Sequence, residues 1–169
     1  REIQAVGRDI TDSKEVEATL HNLAAITATG SDFFSELVFR MAQALTVTHV
    51  IVAEKVDDTL QTLAVWSDGA LQPNFTYAYA PTPCESTLKD GWFYCEDQLQ
   101  ERFPNDPLVE MAAESYLGIA LHNAQSEAIG VLCLLSRDSL KRHRRTEQLL
   151  RIFAARAAAE LQRQQVIAE

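Results

Sequence analysis

Two apolar runs joined by a short polar loop constrain the fold of this chain more than any other feature. Residues 116–121 and 129–135 are dominated by Leu, Ile, Val, Ala and Gly, whereas residues 122–127 between them are mostly polar. A linker this short joins antiparallel neighbours, because a parallel connection needs a crossover of a dozen or more residues. Both faces of the second run are apolar, so we expect a central strand that is covered on each side.

Apolar periodicity predicts the elements that precede this hairpin. Residues 47–55 and 60–67 read as strands, and Asp57 and Asp58 supply the turn between them. Before them, Asp32 is a suitable cap for a helix with a broad apolar face that must pack on a sheet. That face consists of Phe33, Phe34, Leu37, Val38, Met41, Ala42 and Leu45.

The end of the chain predicts a long helix over residues 139–167. Its apolar stripe consists of Leu149, Leu150, Phe153, Ala154, Ala157, Ala158 and Leu161. Between the predicted strands lies an insert, residues 68–113, in which only residues 92–95 read as a strand. Helix, two strands, irregular insert, strand, hairpin and helix together predict an α+β domain built on an antiparallel sheet.

A further helix, predicted over residues 14–28, has an apolar seam that is too narrow for packing on a globular core. The seam consists of Val16, Leu20, Leu23 and Thr27. So narrow a stripe is typical of a helix that pairs with an identical helix. We therefore predict a homodimer that is formed through the terminal helices.

Charge and cysteine content exclude several classes of function. The net charge of −9 argues against binding to nucleic acid, whose phosphates repel an acidic surface. No apolar run approaches the roughly 20 residues that span a bilayer, so we expect no membrane insertion. The three cysteines are few and odd in number, which argues against a disulfide framework and for a reducing compartment. We therefore predict a cytoplasmic location.

Four segments, taken in order, resemble one subgroup of GAF domains, the small sensory modules of bacterial signalling proteins. They are Pro81-Thr82-Pro83-Cys84-Glu85, Phe103-Pro104-Asn105-Asp106, residues 115–121 and residues 129–135. The resemblance implies a sheet of five or six antiparallel strands, with the first and last helices packed on one face. On the other face it implies a small-molecule pocket that residues 68–113 would cover.

The start of the chain resembles the closing strand and exit motif of a PAS domain, through the Gly-Arg-Asp-Ile-Thr pattern at residues 7–11. This implies that the sequence is a piece of a longer protein. The expected organisation is a PAS tail over residues 1–12, a linker helix over 13–31, the GAF domain over 32–160 and an exit helix over 161–169.

Aromatic residues concentrate around the expected pocket and supply the candidate ligand-binding residues. Alternation along residues 75–79 would direct Phe75, Tyr77 and Tyr79 to one side of a strand, and aromatic walls with a few hydroxyl groups suit a flat organic ligand. The alternative is that the rings fill a core that has no cavity. The candidates are Trp66, Phe75, Tyr77, Cys84, Trp92, Tyr94 and Tyr116.

This sequence lacks the motifs by which GAF domains bind cyclic nucleotides, bilins or haem, and the ligand is unknown. The signature of cyclic-nucleotide-binding members is absent, and Cys84 and Cys95 are each followed by Glu, whereas bilin-attaching members place His after the cysteine. An axial ligand for haem is missing from the insert, because all four histidines lie outside it. The spacing of the cysteines does not fit a metal site.

Sequence analysis therefore predicts a non-catalytic sensory domain. It would bind a small molecule and relay a signal through dimeric helices to an output domain, either a histidine kinase or a diguanylate cyclase/phosphodiesterase. No nucleophile elbow, phosphate-binding glycine loop or His/Glu metal motif indicates an enzyme. The alternatives are a ligand-free dimerisation spacer and a thiol-based redox sensor that uses Cys84.

Overall fold

The fold is an antiparallel sheet with long helices on one face and short helices on the other. The computed structural model describes residues 14, 17–18, 20–26 and 28–168. Four α-helices, one 3₁₀ helix and seven strands follow one another from residue 31 onward. They are α1 (Ser31–Leu45), β1 (His49–Val56), β2 (Thr59–Ser67), β3 (Ala70–Gln72), β4 (Thr76–Ala78), α2 (Pro83–Asp90), β5 (Trp92–Cys95), α3 (Leu99–Arg102), the 3₁₀ helix (Pro107–Met111), β6 (Ser115–His122), β7 (Ala128–Ser136) and α4 (Arg144–Ala168).

The strand order is β3-β2-β1-β7-β6-β5, and β4 also pairs with β2. Every pairing is antiparallel. The hairpin of β6 and β7 confirms the prediction from the two apolar runs. β7 lies between β1 and β6 and is buried along nearly its whole length, as its two apolar faces predicted. The short strands β3 and β4 bring the sheet to seven strands, beyond the five or six that the resemblance implied.

One face of the sheet, called here the helix face, is covered by α1 and α4. The predicted apolar face of α1 is buried from Phe33 to Ala42, and Leu149, Leu150 and Phe153 of α4 are buried beside it. The helices contribute to one apolar core together with residues of β1, β6 and β7. Burial of this amphipathic stripe, rather than helix propensity alone, stabilises both helices.

The other face, called here the insert face, is covered by α2, α3 and the 3₁₀ helix. A second apolar core lies beneath them and includes Ile51, Val65, Val131 and Leu135 from the sheet. Residues 68–113 thus cover this face, as the resemblance implied. Sheet alternation separates the two cores, because neighbouring residues along each strand point to opposite faces.

Two helix boundaries differ from the predictions. α4 begins at Arg144 rather than at residue 139, because hydrogen bonds hold the preceding segment against the sheet. Leu140 N donates to the carbonyl of Glu96 over 3.0 Å, and Ser115 Oγ donates to the carbonyl of Asp138 over 2.7 Å. α1 begins at Ser31 after Gly30, with no side-chain cap. Asp32, predicted as that cap, instead lies in the first turn, where a carboxylate favours the helix dipole.

The segment before α1 is helical at residues 20–24. Leu20 is 52% exposed, whereas Leu23 is buried against the helix-face core. Val16, Thr27 and the proposed PAS tail over residues 1–12 lie outside the described residues. Within the described part of the chain, no helix combines the length and apolar character needed to cross a bilayer.

Candidate ligand-binding site

The seven candidate ligand-binding residues lie on both faces of the sheet. Trp66, Trp92 and Tyr94 pack against the helix-face core. The other four belong to the insert-face core: Phe75, Tyr77, Cys84 and Tyr116. A single pocket therefore cannot be lined by all seven, and the expectation of one wall containing Trp92, Tyr94 and Tyr116 is corrected. The reason is alternation along β5, which turns Phe93 and Cys95 toward the insert face and their neighbours away from it.

The aromatic residues around β4 share one side, as alternation predicted. Phe75, Tyr77 and Tyr79 all pack on the insert-face core. The rings of Phe75 and Tyr77 lie 5.7 Å apart between centroids. Only Tyr77 is fully buried among them, and the Tyr79 hydroxyl donates to the carbonyl of Asp57 near the surface. The inner end of this aromatic group is therefore Tyr77.

Helix α2 positions the polar side chains beneath it. Its N-cap is Thr82, whose Oγ1 accepts a hydrogen bond from Cys84 N at 3.1 Å, and Pro83 occupies the first turn, where its missing N–H is harmless. The helix ends at Gly91, which adopts the left-handed conformation with φ of 82°. Cys84 and Thr87, one turn apart, both face the sheet and are fully buried.

Four protic side chains meet there and form what we call the thiol–hydroxyl cluster: Tyr77, Cys84, Thr87 and Tyr116. Tyr116 Oη lies 2.8 Å from Thr87 Oγ1 and 3.5 Å from Cys84 Sγ. Tyr77 Oη lies 3.3 Å from the same sulfur. All four residues are buried, so the cluster is a group of hydrogen-bonding side chains that is surrounded by the apolar residues of the insert-face core.

A glycine makes room for the largest member of the cluster. Gly118 lies two residues after Tyr116 on the same face of β6, and a Cβ at Gly118 would lie 2.4 Å from Tyr116 Oη. The tyrosine ring therefore lies flat along its own strand. The sequence analysis missed Thr87, although its spacing of three residues from Cys84 is the helical signal that could have identified it.

Cys84 is electrostatically distinct from Cys133, another thiol on this face. Hydrogen bonds from Cys133, Tyr116 and Tyr77 lower the pKa of Cys84 against the opposing effect of burial. The pKa of Cys133 is raised by its hydrogen bond to Cys84 and by burial. The neighbouring Glu85 is exposed on α2 and does not determine the direction of the pKa change at Cys84, which the hydrogen bond from Cys133 dominates. Because Cys84 has no exposed surface, its sulfur is a hydrogen-bonding group of the core.

A small cavity lies elsewhere in the insert-face core, and no member of the cluster lines it. This cavity of about 10 Å³ lies between α3, the 3₁₀ helix and β7, and it holds about one water molecule. Its lining includes Phe103, Leu108 and Asp106, whose Oδ1 accepts from Leu108 N at 2.9 Å. Through that bond Asp106 caps the 3₁₀ helix, and burial raises the pKa of its carboxyl group. A ligand larger than water at this cavity would require α3 or the 3₁₀ helix to move outward.

A separate apolar groove runs between the N-terminal helical segment and α4. It has a volume of about 530 Å³ and is lined by Leu20, Leu23, Ala24, Ile152, Ala155, Arg156 and Ala159. Toward the end of α4, Val166 and Ile167 are 63% and 68% exposed.

Within the described part of the chain, no group of three or more His, Cys, Asp or Glu residues could hold a metal ion.

Comparison with known proteins identifies this architecture. The family model described as "GAF domain" matches residues 31–161. The GAF domain from Acinetobacter phosphoenolpyruvate-protein phosphotransferase superposes with a TM-score of 0.74 at 11% identity, covering 94% of this chain and 97% of that chain. The A. aeolicus nlh2 GAF domain in an inactive state gives 0.69 at 12% identity, with coverages of 92% and 98%. Residues 122 to 287 of a methyl-accepting chemotaxis protein give 0.63 at 15% identity, with coverages of 81% and 91%. No curated protein matches the chain.

Proposed function

Since the chain belongs to the GAF domain family, we propose that it is a non-catalytic sensory domain that binds a small molecule beneath α2 and relays the event through its terminal helices. The family comprises sensory and regulatory domains, found in kinases, phosphotransferases and chemoreceptors. We also propose that the domain dimerises and that its signal reaches an output domain. That output domain would be a histidine kinase or a diguanylate cyclase/phosphodiesterase.

The thiol–hydroxyl cluster is the observation that carries the ligand-binding part. Protic groups in an apolar core are costly unless they are hydrogen-bonded, and here they bond mainly to one another. A small ligand with its own hydroxyl, carbonyl or amine groups could replace those mutual bonds. Tyr116, Thr87 and Cys84 would then orient the ligand, and Tyr77 would cover it.

A route from the cluster to the exit helix runs through β6. Tyr116 belongs to the cluster, while its neighbour Leu117 points to the opposite face and packs in the helix-face core with Phe153 of α4. An outward movement of α2 would release Tyr116 and shift β6, which changes the packing beneath α4. Such a shift biases the population of two helix arrangements, which is the form that coupling between distant sites takes.

The apolar groove supports dimerisation through the terminal helices. Leu20, Ala155 and Ala159 are exposed around it in a single chain. A second copy that laid its own Leu20 into this groove would bury these surfaces symmetrically, as a two-fold dimer requires. The small side chains of α4 would allow the two helices to approach closely.

A second candidate is a dimerisation spacer that has no ligand. The burial of the thiol–hydroxyl cluster favours it, because the cluster members already bond to one another. In that case the thiol–hydroxyl cluster fixes the position of α2, and signals would pass through the terminal helices from a neighbouring domain.

Mass spectrometry of small molecules released from natively purified protein distinguishes the two candidates. The sensory proposal expects a stoichiometric compound that is retained by the Tyr79→Phe control and lost from Tyr116→Phe and Thr87→Val. The control removes a hydroxyl that bonds near the surface rather than in the cluster. Absence of any compound, together with no thermal stabilisation by a metabolite library, would refute the sensory proposal in favour of the spacer.

A further inference from the structure

Strand β5 ends the described sheet on the side opposite β3. It is four residues long and pairs with β6 on one side only, in the register Trp92↔Ile119 to Cys95↔Tyr116. Three of its residues are consecutive aromatics, Trp92, Phe93 and Tyr94, and each of them is only half-buried. A sheet edge of this kind exposes backbone groups that another extended chain can pair with.

The ladder shows which backbone groups of β5 face outward. Ala120 N donates to the carbonyl of Gly91 over 3.0 Å, so the residues that face β6 are Gly91, Phe93 and Cys95. The N–H and C=O groups of Trp92 and Tyr94 therefore point away from the sheet. At the next outward position, the carbonyl of Glu96 accepts from Leu140 N over 3.0 Å. Residues near β7 thus already pair with one end of this edge, and no described residue pairs with the outward backbone groups of Trp92 and Tyr94.

An arginine lies over each of the three aromatic rings. Arg151 lies 5.1 Å from the Trp92 centroid, and Arg142 lies 6.0 Å from that of Tyr94, both on the helix face. On the insert face, Arg102 lies 5.2 Å from the Phe93 centroid. These distances are within cation–π range, and all three arginines are exposed. Both faces of the open edge are therefore flanked by positive charge.

This local charge is unusual in a chain whose net charge is −9. Lys141, Arg142 and Arg144 are exposed in the segment beside β5. Acidic side chains nearby include Asp90 and Glu96 at the two ends of the strand, Glu101 next to Arg102 in sequence, and Glu147, which pairs with Arg142 at 3.1 Å. The middle of the edge is consequently the positive part. An extended segment added there would point alternate side chains at Arg142 and Arg151 on one face and at Arg102 on the other.

We propose that the edge of β5 is a docking site for an extended, acidic segment of a partner protein, which adds to the sheet as an additional strand. Backbone bonds to Trp92 and Tyr94 supply the pairing, and the three arginines select carboxylates on both sides of the incoming strand. A second copy of this chain is disfavoured at this edge, because a two-fold pairing of β5 with itself would bring the arginines of both copies together. This docking site is separate from the cluster and from the apolar groove, so it stands independently of the proposed function.

Amide hydrogen exchange measured by NMR tests the proposal, with an acetylated and amidated hexaglutamate peptide as the probe. Saturating peptide should slow exchange at the Trp92 and Tyr94 amides by at least about tenfold, a free-energy difference of about 1.4 kcal/mol. The Phe93 and Cys95 amides, which already bond to β6, should change little. Hexalysine should have no effect, and added salt should weaken the binding of hexaglutamate.

Charge-reversed variants locate the site. Arg102→Glu, Arg142→Glu and Arg151→Glu should each weaken hexaglutamate binding by about fivefold. Lys55→Glu, which reverses an exposed cation on β1 three strands away, should bind as the unmodified protein does. Peptide binding without protection of the Trp92 and Tyr94 amides would overturn strand addition. Equal protection by a hexathymidylate oligonucleotide would overturn the assignment to an acidic protein segment. No binding at all would overturn the proposal, and the arginines would then serve only to prevent edge-to-edge aggregation.

Discussion

At the scale of single residues, Gly130 of β7 allows β1 and α4 to approach closely. A Cβ at this position would lie 2.3 Å from the carbonyl oxygen of Ala53 on β1 and 3.2 Å from Leu161 Cδ2 of α4. Gly130→Ala should therefore force the backbone apart and lower the free energy of unfolding by about 2–3 kcal/mol. Chemical denaturation measures this change.

Gly69→Ala is the matched control for that substitution. Gly69 has a positive φ of 83° and open space around its missing side chain, so the same methyl group costs only backbone strain of about 1 kcal/mol. If Gly130→Ala were no more destabilising than Gly69→Ala, the close approach of β7, β1 and α4 would be contradicted.

His49 is a second residue whose surroundings determine a measurable property. It is fully buried at the start of β1, where Nε2 donates to the carbonyl of Met111 over 3.0 Å and Nδ1 accepts from Ser67 Oγ over 2.7 Å. Burial lowers the pKa of His49, only partly offset by the Met111 carbonyl. The unfolded chain thus binds a proton more readily than the folded one, and folding stability falls as the pH drops below the ordinary histidine value of about 6.5.

His49→Gln should therefore reduce the pH dependence of stability. The urea midpoint of the unmodified protein should fall between pH 7.5 and pH 5.5, and the variant should show a smaller fall over the same interval. Glu160 does not contribute in this window, because the hydrogen bond from Arg163 lowers the pKa of its carboxyl group below the ordinary range. Identical pH profiles for the two proteins would contradict the assignment to His49.

At the scale of elements, Glu160 joins the exit helix to the start of α1. Its Oε2 accepts hydrogen bonds from Arg163 at 2.6 Å, from Gln164 at 3.1 Å and from the backbone N of Gly30 at 3.4 Å. The side chain is buried, and it holds the chain just before α1 against α4.

Removal of this carboxylate should loosen the junction of the two helices. Glu160→Ala removes the acceptor that Arg163, Gln164 and Gly30 share, and should lower the free energy of unfolding by about 0.5–1.5 kcal/mol. Exchange of the Gly30 amide should become faster at the same time. Glu110→Ala, which removes an exposed carboxylate of the 3₁₀ helix, should change neither quantity. An unaltered Gly30 exchange rate in Glu160→Ala would show that the bond does not hold this junction.

At the scale of the whole molecule, the proposed dimer places Ala155 in a helix–helix interface. Ala155 is exposed in the single chain and lines the apolar groove. Ala155→Glu would bury a carboxylate from each copy near the two-fold axis, so the dissociation constant of the dimer should rise by about 100-fold or more. Sedimentation equilibrium measures it, and Ala124→Glu in the exposed β6–β7 loop is the control. A dimer of unchanged stability in Ala155→Glu would place the interface elsewhere.

The sheet also gives the molecule two chemically different halves. The helix-face core contains almost only apolar side chains, whereas the insert-face core contains the thiol–hydroxyl cluster. The proposed ligand site and the proposed dimer interface therefore lie on opposite faces of the sheet. The strands between them contribute alternate side chains to both faces.

Much of the fold could be predicted from local patterns. The apolar face of α1, the turn at Asp57 and Asp58 and the central position of β7 all follow from the periodicity of a few neighbouring residues, and the structure confirms each of them. The start of α4 could not be predicted in this way. Residues 139–143 are compatible with a helix by propensity, but hydrogen bonds with β5 and β6 hold the preceding segment in an extended path.

The candidate site was predicted less well than the fold. Tyr77, Cys84 and Tyr116 do meet, although they are up to 39 positions apart in the sequence. Trp92 and Tyr94 do not join them, because the face that a strand residue occupies depends on the register with its neighbours. Thr87 shares a helix face with Cys84 by local spacing, but its contact with Tyr116 depends on how α2 lies across β6, which no local pattern reveals.

By itself, the sequence determined the type of most elements, the antiparallel hairpin and the family resemblance, since hydrophobic periodicity and turn residues act over a few neighbouring positions. Tertiary structure alone decided which aromatic residues share a face, how closely the insert packs on the sheet and which edge remains open between arginines. These properties depend on contacts between residues far apart in the chain, and such contacts are fixed only when the strands pair and the helices pack on them.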